Sequence, residues 1–183
     1  MRVAFTTFAV LKQPYGHAEV QEFDDRTPAV FAEAESSRGF IARARELTNQ
    51  TASNFERDWG AWGRFAVPRF YVWGRETGTD RRASTLTLWR DLSSVYSFVY
   101  RGLHSAALKK RSEWFLHPAW PTYAIWWVGD EHVPQWQEAA NKLEELHDHG
   151  PSPAVFNFKE CFDCDGRRVE LRSLREAPVA HGT

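Results

Sequence analysis

Apolar and polar positions fall into short blocks whose period changes repeatedly along the chain. Val3 to Leu11 (VAFTTFAVL) is β-branched and aromatic and ends at the turn-prone Gln13-Pro14-Tyr15-Gly16, which predicts a strand buried on both faces. From Glu19 to Ala34 the apolar residues Val20, Phe23, Val30, Phe31 and Ala34 recur at helical spacing, with Thr27-Pro28 expected to break or restart the helix. Gly39 closes that region. Phe40-Ile41-Ala42-Arg43-Ala44-Arg45 then alternates apolar with basic residues, the period of a strand. Residues 48–82 sustain neither period and are punctuated by Gly60, Gly63, Pro68, Gly74 and Gly78. Trp59, Trp62, Phe65, Phe70, Tyr71 and Trp73 argue against disorder there, so the segment reads as an ordered aromatic loop and a candidate lid.

Ala83 to Trp89 alternates again, and Asp91 or Ser93 caps one long predicted helix from Leu92 to Phe115. Its first stripe, Leu92, Val95, Tyr96, Val99, Leu103 and Ala107, has the spacing of a core face. A second stripe beside it carries Tyr100, His104, Leu108, Arg111 and Phe115. Thr122 to Val128 (TYAIWWV) predicts another strand, and Pro134 opens an amphipathic helix through Leu146 that Gly150-Pro151 stops. Ala154 to Phe158 is a possible edge strand, and no internal repeat occurs.

The resulting order, β-α-β, loop, β-α-β, helix, is that of an α+β ferredoxin-like split sheet with an additional C-terminal helix. In that arrangement both helices of the repeat cover one sheet face. A second apolar face needs its own cover, and pairing with another copy as a dimeric α+β barrel is the expected solution, with Phe5, Thr7, Trp89 and Trp126 lining the interior or seam.

Composition narrows the function classes. At 183 residues the chain suits one domain, here residues 1–165, followed by a charged tail over 166–183. A formal net charge of -1 offers no field for phosphate backbones, so nucleic acid is not an expected partner. No apolar run approaches the roughly 18 residues of a membrane span, and no signal peptide is seen; two cysteines are too few for a disulfide framework. A cytoplasmic location is expected on these grounds.

Leu88-Trp89-Arg90-Asp91, Tyr100-Arg101-Gly102-Leu103-His104 and Arg111-Ser112-Glu113-Trp114-Phe115 form a pattern that resembles a bacterial family defined as a domain of unknown function and placed among dimeric α+β barrels. The resemblance covers residues 1–165 and includes Phe40-Ile41-Ala42-Arg43, Pro68-Arg69-Phe70-Tyr71, Pro121-Thr122-Tyr123 and Leu146-His147-Asp148-His149-Gly150. More distantly, the tryptophan followed by a helix with histidine is similar to spheroidene monooxygenase, and the fold resembles antibiotic-biosynthesis monooxygenases. Small-molecule chemistry is what the resemblance implies: oxygenation, a cofactor-free cyclisation or dehydration, or haem chemistry.

His104 shares its stripe with Tyr100 and Arg111, and serves either as a proton carrier or as the axial ligand of a non-covalent haem. The structural alternative is a histidine packed at a seam and bonded to backbone. Arg43 and Arg45 project from one face of their strand, where guanidinium forks would hold an oxyanion or, if the face is exposed, simply be solvated. Trp59, Trp62, Trp73 and Trp89 are candidates to contact an apolar ligand, with Arg111 beside them as a charged helper.

Three readings follow. In the first, the protein is an enzyme acting on a hydrophobic or aromatic molecule, by monooxygenase-like chemistry or a cofactor-free cyclisation or dehydration, with His104 moving a proton and Tyr100 and Arg43 holding an oxyanion. In the second it binds haem through His104. The third is a non-catalytic ligand-binding dimer. His147-Asp148-His149 is explained by the dipole at a helix end, and Cys161 and Cys164 read as free thiols rather than half a zinc site.

Overall fold

A computed structural model describes residues 1–47, 57–71 and 81–176. The predicted period-2 blocks form a four-stranded antiparallel sheet of β1 (Arg2–Val10), β2 (Phe40–Arg43), β3 (Arg82–Trp89) and β4 (Tyr123–Val128), in the order β2-β3-β1-β4. Inserting β3 between β1 and β2 splits the first β-α-β unit, the ferredoxin-like order expected. Register is set by the pleat. Phe5 lies opposite both Thr87 and Ile125, and Ala4 opposite both Leu88 and Trp126, so each set of alternate residues forms one continuous face.

The helices are α1 (Gln21–Ser36), α2 (Leu92–Tyr100), α3 (Gly102–Trp114), α4 (Trp136–His149) and α5 (Leu171–Glu176). One sheet face, with Val3, Phe5, Trp89 and Ile125, packs against α2, Ala34 of α1, Phe156, Phe158 and Leu174. Trp89 is fully buried there, stacked on Phe98 with ring centroids 5.2 Å apart, its indole N–H donating to Thr87 Oγ1 at 2.8 Å.

The other face is covered by the chain's own side chains. Phe8, Leu86, Leu88 and Trp126 are covered within the chain by Trp136, Ala139, Leu143 and Leu146 of α4 and by Trp62, Phe65, Val67 and Tyr71. Each such side chain removed from water is worth about 1.5–3 kcal/mol, so this face is already sealed without a second sheet.

Four further expectations change. The helix over Leu92–Phe115 is two helices, because Arg101 is extended and Gly102 turns at φ +60. A carboxylate distant in sequence holds the new start: Glu33 accepts the backbone N–H groups of Leu103 and His104 at 2.9 and 3.0 Å. At Pro28 the break does not occur, and α1 runs through it, with Thr27 Oγ1 donating to the Phe23 carbonyl. The possible edge strand over 154–158 is reduced to isolated bridges, Phe156 to Ile125, Val155 to Ser152 and Asn157 to Glu160. The predicted tail carries structure: β5 (Cys161–Phe162) pairs with β6 (Arg168–Val169), and α5 packs on α2. No helix among the described residues is long and apolar enough to cross a membrane.

Candidate functional site

Where β2 ends, its chain peels away from β3. The amide of Ala44 still donates to the Leu86 carbonyl at 2.8 Å, but Leu47 already bonds to the Asp58 carbonyl instead. The divergence leaves a half-open cavity of about 340 Å³ between the first half of β3, the second half of α1, the Trp59 turn and the start of α4. It lies at the low end of the size range of small-molecule pockets.

Its walls are aromatic. Trp136 is 3% exposed, Trp59 meets it edge-on at 5.2 Å, and Phe65 packs behind both, 4.6 Å from Trp136 and 5.8 Å from Trp59. Phe31 of α1 supplies the facing wall. Two polar atoms of lining residues, Ser84 Oγ and Trp136 Nε1, are buried without a hydrogen-bond partner among the described residues. Such atoms are uncommon in native interiors.

Charge gathers at the mouth. The alternation read in 40–45 does place Arg43 and Arg45 together, and both reach Glu35 on α1: Arg43 Nε at 2.6 Å and Arg45 at 2.5 Å from the same carboxylate oxygen. The Arg43 guanidinium also lies 4.2 Å from the centroid of the Phe31 ring, a cation-π contact that fixes it. These bonds hold the Glu35 carboxyl below the usual carboxylate range, the hydrogen bond from Arg43 contributing most. Arg45 is largely exposed, whereas Arg43 is mostly covered.

The remaining sequence candidates lie elsewhere. His104 sits in the first turn of α3 with Nδ1 3.0 Å from the Val99 carbonyl, which assigns the proton to Nδ1, and its ring is 4.7 Å from that of Phe98. Burial pushes its pKa down, with the Val99 bond and the Glu33 charge opposing. Tyr100 packs on Tyr96 and Phe158, and Tyr123, which meets the same Phe158 ring, accepts the Phe158 amide on its hydroxyl at 3.1 Å. Burial raises the pKa of both phenols and so keeps them protonated, but neither is among the residues that line the cavity. The turn at Gly102 has broken the i, i+4 relation, so His104 and Tyr100 have separate partners. Arg111 remains on α3, donating to the Leu108 carbonyl of its own helix.

Trp62 is core, Trp89 is sealed under α2, and Trp73 lies outside the described residues. For haem, the surroundings of His104 do not fit: a porphyrin needs a flat apolar slot before a ring nitrogen, and this imidazole is packed against Phe98 beside the Glu33 carboxylate and is not among the residues lining the cavity. No group of three His, Cys, Asp or Glu that could hold a metal occurs among the described residues. Cys161 is buried, its thiol pushed up to about 11 by that burial, and Cys164 is exposed; both are free.

Sequence reasoning missed Glu35, Phe31 and Trp136 as site residues. Glu35 precedes Arg43 by eight positions across the Gly39 turn, a detectable clue, whereas Trp136 read simply as the core face of its helix. No curated protein and no solved structure matches the chain. A family model described as a domain of unknown function, DUF3291, matches residues 2–172, and the chain belongs to that family.

Proposed function

We propose that this protein binds a hydrophobic or aromatic small molecule in the cavity between β3, α1 and α4. The observation that carries this reading is the convergence of two tryptophans, a phenylalanine and two arginines on one half-open space, an apolar body with few polar anchors that is the usual make-up of a ligand site. Arg43 and Arg45 keep the role of anchors for an oxyanion, and Trp59 keeps the role of a ring that covers the ligand. His104 and Tyr100 leave the site, so of the three readings the binding one, without proton transfer by His104, is the one the geometry supports best.

Saturation-transfer NMR with a mixture of single-ring and fused-ring aromatic compounds tests it. Ring compounds are expected to receive saturation from the protein and to lose it in the Trp59→Ala variant. Equal transfer in both proteins, or none in either, would overturn the assignment.

A further inference from the structure

The charges of Arg43, Arg45 and Glu35 at the cavity mouth do not balance. Arg43 and Arg45 share the single carboxylate of Glu35, while Glu46, also in the lining, is matched by Arg57 at 2.6 Å. The group of Arg43, Arg45 and Glu35 therefore carries a surplus of one positive charge. A cation would be repelled and a dianion would leave a charge uncompensated in a partly enclosed space, where effective permittivity is well below that of water.

The two arginines are not equivalent. Arg43 is fixed on three sides, by Glu35, by the Phe31 ring and by the Ala44 carbonyl that NH1 reaches at 3.4 Å. Arg45 touches Glu35 through one nitrogen, and its side chain is 57% exposed. A guanidinium has five N–H donors in a planar fork, so most of those on Arg45 remain available, in the geometry that suits a carboxylate. Flat walls from Trp59, Trp136 and Phe31 favour a planar body, and a space of about 340 Å³ suits one or two fused rings.

We infer that the ligand is a small aromatic monocarboxylate, its carboxylate on Arg45 and its ring among Trp59, Trp136 and Phe31. The inference rests on the binding reading above and deepens it. Glu35 is then the internal counter-charge that holds Arg43 in position and limits the site to one negative charge.

Calorimetric titration with naphthalene carboxylate and its neutral amide, matched in shape, tests the claim. The acid is expected to bind at least about tenfold more tightly, a difference of roughly 1.4 kcal/mol. Arg45→Gln, at an exposed position and checked for folding by circular dichroism, should bring the two to equal affinity. Glu35→Gln should strengthen the acid and admit a naphthalene dicarboxylate that the unaltered protein refuses. If the amide binds the unaltered protein as well as the acid does, the charge inference falls while the cavity remains a ring-binding site. If neither binds, the underlying reading falls with it.

Discussion

Neutral histidines inside proteins resist protonation for a reason visible at His104. Moving the imidazolium into the space beside Phe98 strips it of water, and the Val99 carbonyl and Glu33 offset this only in part. Its folded pKa therefore lies below the ordinary value of 6.5, and the unfolded chain takes up the proton first. In the window between the folded pKa and 6.5 the unfolded state holds more protons, so this residue makes stability rise with pH there and stop contributing above it. Two-dimensional NMR of the His104 ring should show a midpoint below 6.5, and His104→Gln should flatten that part of the stability profile. The same packing predicts that added haemin produces no Soret band that depends on His104. Appearance of one that His104→Ala removes would show that Phe98 yields the space a porphyrin needs.

At the scale of elements, the clearest case is the join between α2 and α3. Gly102 adopts φ +60, and a Cβ there would stand 2.0 Å from Glu33 Oε1. Gly102→Ala is expected to cost at least about 1–2 kcal/mol from the left-handed backbone alone, and more as it pushes the Glu33 carboxylate off the α3 amides. Glu33→Gln should cost about 0.5–2 kcal/mol, the usual worth of a cap; urea denaturation of both variants measures these losses.

That join also shows what the amino-acid pattern holds and what it does not. The alternation in 3–11, 83–89 and 122–128 is written locally, since a pleat turns every second side chain to the same face, and those strands form with edges close to those expected. A cap supplied 70 residues away leaves no local mark, so Tyr100 to Arg111 reads as one stripe until Glu33 is in place. Likewise the period of α4 marks an apolar face but not which sheet face receives it. The pairing of Arg43 with Arg45 was legible in the alternation of 40–45, although β2 itself ends at Arg43; for their shared partner Glu35 the sequence offers only its spacing from Arg43, because the contact depends on how α1 packs on β2. Trp62 and Phe65 had no period to betray them as core, because an irregular segment buries residues by position rather than by repeat.

For the whole molecule, the placement of α4 bears on assembly. A ferredoxin-like sheet with helices on one side exposes a wide apolar face, and a second copy is one cover for it. Here Ala139, Leu143 and Leu146 of α4, with Trp62, Phe65 and Val67, occupy the place such a partner would fill, and Leu86, Leu88 and Trp126 are at most 2% exposed in the single chain. Among the described residues the larger apolar side chains left outside, Met1, Tyr15, Ile41, Leu47, Tyr100 and Leu103, are spread over the N-terminus, the turn after β1, the β2 edge, the segment after it and the α2 to α3 join, rather than gathered on one face. A stable interface needs about 800 Å² from each partner, largely contiguous, which scattered residues do not supply. Light scattering at micromolar concentration should therefore give the monomer mass of 21.2 kDa. Leu143→Asp, which sets a carboxylate in the apolar cluster that holds Leu88 and Trp126, should lift α4 from the sheet and drive the chain to self-associate through the face it uncovers. A dimer in the unaltered protein whose mass Leu143→Asp leaves unchanged would instead place the contact on another surface, and α4 would then be a cover for the sheet without being a substitute for a partner.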